Sequence, residues 1–265
     1  MTRRSSTPLA LALALLVVGA CASDPDEPEY VERPVSTIYN EAMDTLNEGL
    51  YAEAAVKFDE VERQHPYSSW ATKAQLMAAY SHYEINAYDD AVIALDRFIE
   101  LHPSNRDTPY AYYLKGLSYY EQISDIARDQ RMTRQALATF RELINRYPNS
   151  RYARDAKIKL DLTSDHLAGK DMEIGRYYLR QGHNLAAINR FKAVVEKYQT
   201  TTHVPEALHR LTEAYLSLGI IEEARKTAAV LGHNFPGSEW YVDSYQLIEG
   251  KQIRPVDEDP WYKVW

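Results

Sequence analysis

The sequence predicts an all-α chain of about five stacked helix–turn–helix hairpins, and three observations carry that prediction. Glycine is scarce, at 10 of 265 residues, while alanine, leucine, glutamate and arginine are plentiful, a balance that favours helix over sheet. Five segments close on similar punctuation: His65-Pro66-Tyr67-Ser68, His102-Pro103-Ser104, Tyr147-Pro148-Asn149-Ser150, Tyr198-Gln199-Thr200 and Phe235-Pro236-Gly237-Ser238. Upstream of each stands an alanine with an apolar residue four positions later: Ala54 and Phe58, Ala91 and Leu95, Ala136 and Phe140, Ala187 and Phe191, Ala224 and Ala228. Three further on come Val61, Phe98, Leu143, Val194 and Leu231. Such spacing sets all three residues on one helix face, where the alanine admits a close neighbour. The proline then stops the chain before the next helix.

Taken in order, each hairpin has a first helix ahead of these anchors and a turn between. The turns are Gly49-Leu50-Tyr51, Asn86-Ala87-Tyr88, Gln181-Gly182-His183 and Leu218-Gly219-Ile220. This is the tetratricopeptide pattern, whose units run to about 34 residues. The alanine anchors fall 37, 45, 51 and 37 residues apart, so every interval is longer than that consensus. In the third hairpin the extra residues lie between Glu121 and Gln135, and they either extend the two helices or form a loop at their turn. In the fourth, the extra length falls in the helix after Pro148, through Asp155 to Asp171. The expected fold is a tetratricopeptide superhelix.

The ends of the chain carry different information. Arg3 and Arg4 precede a short apolar run, Leu9 to Ala20, that ends at Cys21. A basic start, a short apolar stretch and small residues before a cut make a signal peptide, and the run is too short to span a bilayer, which takes roughly 20 residues. Val18-Gly19-Ala20-Cys21 resembles a lipobox, in which the cysteine receives diacylglycerol before cleavage. Cys21 is the only cysteine, so it has no disulfide partner in the chain. Ala22 to Pro34 is acidic and proline-rich, the composition of an extended linker. Ala22 resembles the residue found after the cysteine in lipoproteins sent to the outer membrane. The expected division is 1–20 signal peptide, 21–34 lipidated cysteine and linker, 35–250 repeat domain, and 251–265 tail without fixed structure. That tail ends with Trp261, Tyr262 and Trp265, an aromatic content that suggests a docking peptide.

Composition and motifs narrow the function to binding. The net charge of -8 becomes -10 without Arg3 and Arg4, which argues against nucleic acid and anionic lipid as partners. There is no Gly-rich phosphate loop, no nucleophile elbow and no paired-histidine metal helix in the sequence. The eight histidines are scattered, so no catalytic residue, metal or cofactor is expected. In a stack of hairpins the first helices line the concave side. The inward positions there are Tyr39, Met43, Leu46 and Asn47, then Lys73, Leu76, Tyr80, Tyr83 and Glu84, then Tyr110, Tyr113, Leu117, Tyr120 and Glu121. A band of tyrosines offers large apolar faces plus hydroxyls, which suits an extended peptide with an aromatic anchor. The groove expected to hold a client peptide is Tyr39, Met43, Leu76, Tyr80, Tyr83, Tyr110, Tyr113 and Tyr120, whereas Tyr119 and Tyr178 are read as packing aromatics.

These residues together resemble the BamD (ComL-like) family, the tetratricopeptide lipoproteins of the outer-membrane β-barrel assembly machinery. The likeness rests on Val18-Gly19-Ala20-Cys21, the short linker, the uneven hairpins, Tyr147 to Ala153 with the helix before it, and Tyr177 to Gly182 followed by Ala187 to Tyr198. It covers about Ser36 to Gly250. The resemblance implies a scaffold anchored on the periplasmic face of the outer membrane. It implies that the C-terminal repeats hold a BamA-like barrel subunit, that small lipoproteins such as BamE join, and that the N-terminal repeats receive unfolded outer-membrane proteins. Where the family places arginines for the barrel contact this chain has Glu196 and Pro205, with Arg190, Lys192 and Lys197 close enough to substitute. The competing readings are a tetratricopeptide lipoprotein of a cell-wall or Tol–Pal system and a secretin pilotin.

Overall fold

The computed structural model describes residues 32–250, and among these every regular element is an α-helix. The helices are α1 (Val35–Asn47), α2 (Tyr51–Gln64), α3 (Ser69–Glu84), α4 (Tyr88–Leu101), α5 (Thr108–Tyr120), α6 (Arg131–Arg146), α7 (Arg151–Arg180), α8 (Asn184–Lys197), α9 (Val204–Ser217), α10 (Ile221–Asn234) and α11 (Glu239–Ile248). They pair as five antiparallel hairpins, with α11 as the first helix of a sixth that lacks a second member among the described residues. The signal segment, Cys21, most of the linker and the tail with Trp261, Tyr262 and Trp265 lie outside the described residues.

Each second helix is fixed by its three anchors. Ala54, Ala91, Ala136, Ala187 and Ala224 are fully buried, and Phe58, Leu95, Phe140 and Phe191 are equally inaccessible. Two anchors fit only because the facing first helix carries a glycine. A Cβ placed on Gly116 would stand 2.4 Å from Cε1 of Phe140, and one on Gly175 the same distance from Cε1 of Phe191.

The turns have their own residue requirements. In four hairpins the chain passes from first to second helix through one left-handed residue, Gly49, Asn86, Gly182 or Gly219. Asn86 serves at φ 61° because asparagine tolerates that region better than other side chains with a Cβ. The third hairpin instead makes a loop over 121–130, which settles the role of the insert. Gln130, nearly inaccessible, donates from Nε2 to the carbonyls of Asp125 and Arg128 at 3.1 Å each, so the loop folds around its own amide. The closing serines also cap the next helix: Ser68 Oγ accepts from Ala71 N at 3.0 Å and Ser150 Oγ from Ala153 N at 3.1 Å.

The backbones of first helices in neighbouring hairpins approach one another closely, whereas those of second helices do not, α2 and α4 meeting through the long side chains of Glu62 and Arg97. The first helices therefore form the inner surface of the stack, as the repeat pattern requires.

Candidate functional site

The inner surface of α3 and α5 gathers most of the expected tyrosines, but not all the expected residues share one environment. Tyr39 is half-buried, edge-on to Phe58 at 5.6 Å and Trp70 at 4.9 Å, and Met43 packs in the same cluster. Leu76 departs from the expectation: it is 7% exposed and belongs to the core between α3, α4 and α5. It offers no open surface to a peptide. Tyr119 and Tyr178 pack against core clusters.

Of the remaining five tyrosines, Tyr110, Tyr113 and Tyr120 are joined through Tyr152 and Phe140, while Tyr80 and Tyr83 each pair with the tyrosine that opens a second helix. Tyr80 lies edge-on to Tyr51 at 6.4 Å and Tyr83 lies 5.7 Å from Tyr88. Tyr110 and Tyr113 both meet Tyr152, at 5.2 Å and 5.4 Å, the second pair being stacked at 27°. The Tyr113 hydroxyl donates to the Asp155 carboxylate. Tyr120 approaches Phe140 at 6.3 Å and carries Lys159 over its ring at 5.2 Å. Burial, then the carboxylate of Glu84, pushes the Tyr80 phenol up to about 12. Burial, then Glu121, does the same for Tyr83. Tyr110 and Tyr113 are raised further, by burial first, then by neighbouring phenols for Tyr110 and by the Asp155 hydrogen bond for Tyr113. All four phenols are thus neutral near pH 7, and each keeps an O–H donor. Glu84, Glu121 and Asp155 give the surface an acceptor-rich border.

Tyr152, Asp155 and Lys159 complete this surface and have no counterpart in the sequence expectation. They come from the first turns of α7, and their spacing of three and seven puts them on one helix face. Beyond Tyr120 the surface opens into a cavity of about 310 Å³ lined by Glu121, Ile123, Leu162, Thr163 and His166. A large side chain has room there.

The three expected partner-contact cations all lie on α8 but do not converge. Arg190 bonds Asp171 of α7 at 3.1 Å, while Lys192 sits 6.0 Å from the Tyr215 ring of α9. Two residues apart on a helix is about 200° of rotation, so these two face opposite neighbours. Lys197 is exposed in the last turn, on the face of Arg190. Sequence reasoning also misses a partly sequestered ion cluster across α7 and α9. Arg176 grips Glu206 through two bonds of 2.8 Å and 2.6 Å, and Arg210 reaches Glu213 at 2.9 Å beneath Trp240.

Among the described residues no group of three or more His, Cys, Asp or Glu is arranged to hold a metal ion, and no helix is long and apolar enough to cross a membrane. The chain matches the family described as outer membrane lipoprotein, YfiO, over residues 31–231. It is 51% identical to the outer membrane protein assembly factor BamD of Caulobacter vibrioides, covering 96% of this chain and 84% of that one. The protein of the same name from Rickettsia prowazekii is 46% identical, covering 92% and 96%. Among solved structures, the P58(IPK) tetratricopeptide domain is 14% identical with a TM-score of 0.43, covering 82% of this chain and 56% of that one.

Proposed function

This chain belongs to the YfiO family of outer membrane lipoproteins and is an outer membrane protein assembly factor, and on that premise we propose how it works. It is a scaffold without a catalytic step, held on the periplasmic face of the membrane by lipid on Cys21. Its C-terminal hairpins hold a BamA-like barrel subunit, with Arg190, Lys192 and Lys197 among the contacts, and small lipoproteins of the same complex join. Its N-terminal hairpins receive unfolded outer-membrane proteins.

One observation carries the receiving role: the tyrosines that α3 and α5 bring to the inner surface, those of α5 joined through Tyr152. Their rings offer flat apolar area at low conformational cost, and their neutral hydroxyls can bond the polar groups of an extended chain. An aromatic side chain of a client fits such a surface as anchor, with the cavity beyond Tyr120 to accept it. The cell-wall and pilotin readings lose ground to the named relatives.

Two experiments test this. A mild-detergent pull-down from native membranes should recover a large barrel protein with repeated periplasmic domains in near-stoichiometric amount. Recovery of a secretin or of cell-wall factors instead would overturn it. The double variant Tyr80→Ala, Tyr113→Ala should stay folded and lose affinity for a labelled peptide ending in an aromatic residue. Unchanged affinity in that folded variant removes the client surface.

A further inference from the structure

Between the loop 121–130, α7 and α8 lies a second cavity of about 230 Å³, separate from the tyrosine surface. Liquid water occupies about 30 Å³ per molecule, so this space equals about eight waters and suits a side chain or two rather than a folded element. Arg128, Arg134, Lys170 and Arg190 line it against only Asp129 and Asp171. That cationic excess is local, in a chain whose formal net charge is -8.

The cations are unevenly engaged. Arg190 is bonded to Asp171 at 3.1 Å, and Lys170 divides itself between the Ala127 carbonyl at 3.1 Å and Glu173 at 3.5 Å. Arg134 has only a 3.6 Å approach to Asp129, both side chains being well exposed. Arg128 makes no side-chain ion pair among the described residues. The loop is already tied to α7 by Lys170 at Ala127, so a purely structural duty does not account for Arg128 and Arg134. Both project from the loop of the third hairpin or the start of α6, where this chain departs from the plain repeat.

We propose that this cavity receives a carboxylate side chain from an acidic segment of a partner protein. Guanidinium forks match carboxylates with two parallel hydrogen bonds, which ammonium groups cannot do. Leu167 and Ile174 supply an apolar wall along which the stem of a glutamate can lie, a feature a bare phosphate does not use. The inference does not depend on the tyrosine surface; it shares Arg190 with the proposed barrel-subunit contact and adds Arg128 and Arg134 to that side of the scaffold.

The test is fluorescence anisotropy of the full chain with a labelled glutamate-rich peptide and its glutamine counterpart. The glutamate peptide should bind, weakening as salt rises over the range in which the Debye length falls below about 8 Å. The glutamine peptide should not. Arg128→Gln with Arg134→Gln should cost about tenfold in affinity, and Arg128→Lys, which keeps charge but loses the fork, should cost less. Arg225→Gln with Lys226→Gln removes the same charge from α10 and should change little. Equal losses in the two double variants mean that only net charge acts, and the site is refuted. Displacement by inorganic phosphate at peptide-like concentration means a general anion site, which refutes an acidic protein segment as ligand. A large gain in affinity on deleting 251–265, which contains Asp257, Glu258 and Asp259, makes the occupant this chain's own tail and refutes the partner. Retained binding in the Tyr80→Ala, Tyr113→Ala variant separates this outcome from any failure of the client surface.

Discussion

Replacing Gly116 with alanine should loosen both the core and the tyrosine surface. The new Cβ would meet three ring carbons of Phe140 at 2.4 Å, 2.7 Å and 3.0 Å, distances real Cβ atoms do not tolerate. Phe140 is fully buried and has Tyr113 and Tyr120 at 6.5 Å and 6.3 Å, so its ring cannot swing aside freely. Overpacking of this kind costs roughly 1–3 kcal/mol, and three close contacts argue for the upper end. Helix propensity returns about 1 kcal/mol on exchanging glycine for alanine. The net is a destabilisation of about 2 kcal/mol, or a fall in melting temperature of about 4–8 °C for a domain of this size. Thermal melts followed by circular dichroism would measure it, alongside peptide affinity. Adding Phe140→Leu should restore part of the loss, since the smaller side chain makes room for the methyl group. A single variant that melts at or above the parent temperature refutes the reasoning. So does a double variant whose losses simply add.

Three further expectations rest on the same geometry. Gly182→Ala should cost about 1–2 kcal/mol through its φ of 74° alone, since its Cβ would meet nothing, whereas Asn86→Gly should be nearly neutral; urea titrations decide both. Ser150→Ala should cost about 1 kcal/mol, read as earlier hydrogen exchange at the start of α7, because the amide of Ala153 loses the hydroxyl acceptor and keeps only the Ser150 carbonyl. Acid should loosen the joint of α7, α9 and α11. Burial, then the charge of Arg210, holds His209 below its ordinary value of 6.5, with Glu213, Asp243 and Glu206 opposing. Burial pushes Glu206 up, but Arg176 and then Arg210 outweigh it and hold the carboxyl below 4.5. Both groups have depressed values in the fold. Stability should therefore fall first as pH drops below about 6.5, where the unfolded histidine takes a proton, and again below about 4.5 as the unfolded carboxyl does. A pH series of melts that stays flat from neutrality to pH 4 contradicts this.

The second helices are legible in the sequence because each buries one face, so the alanine at the start and the apolar residues four and seven later stand out. First helices are harder. α3 touches α1, α2, α4 and α5, which leaves apolar residues at most angles and little contrast to read. Leu76 reads as a residue of the open side for that reason, although it faces α4 and α5. Tyr152 escapes the sequence because it reaches the surface from the next hairpin, and no spacing within α5 points to it. The bond of Arg176 to Glu206 joins residues 30 apart on different helices, a pairing that charge patterning along one helix cannot reveal. The insert of the third hairpin is visible as surplus length, but loop and helix extension stay equivalent until Gln130 is seen closing 121–130 on itself.

The length of α7 sets an angular relation between the hairpins before it and those after it. Its first half packs on α5 and α6 and its second on α8 and α9, through 30 residues without a break. Such a helix is about 45 Å long and turns about 100° per residue. It acts as a screw thread shared by two assemblies. Removing one residue near its middle would rotate the later hairpins by about a third of a turn relative to the tyrosines, while removing seven would return them nearly to phase, about 10 Å nearer. The number of residues in this helix therefore fixes the direction in which the C-terminal hairpins face when the N-terminal surface is occupied.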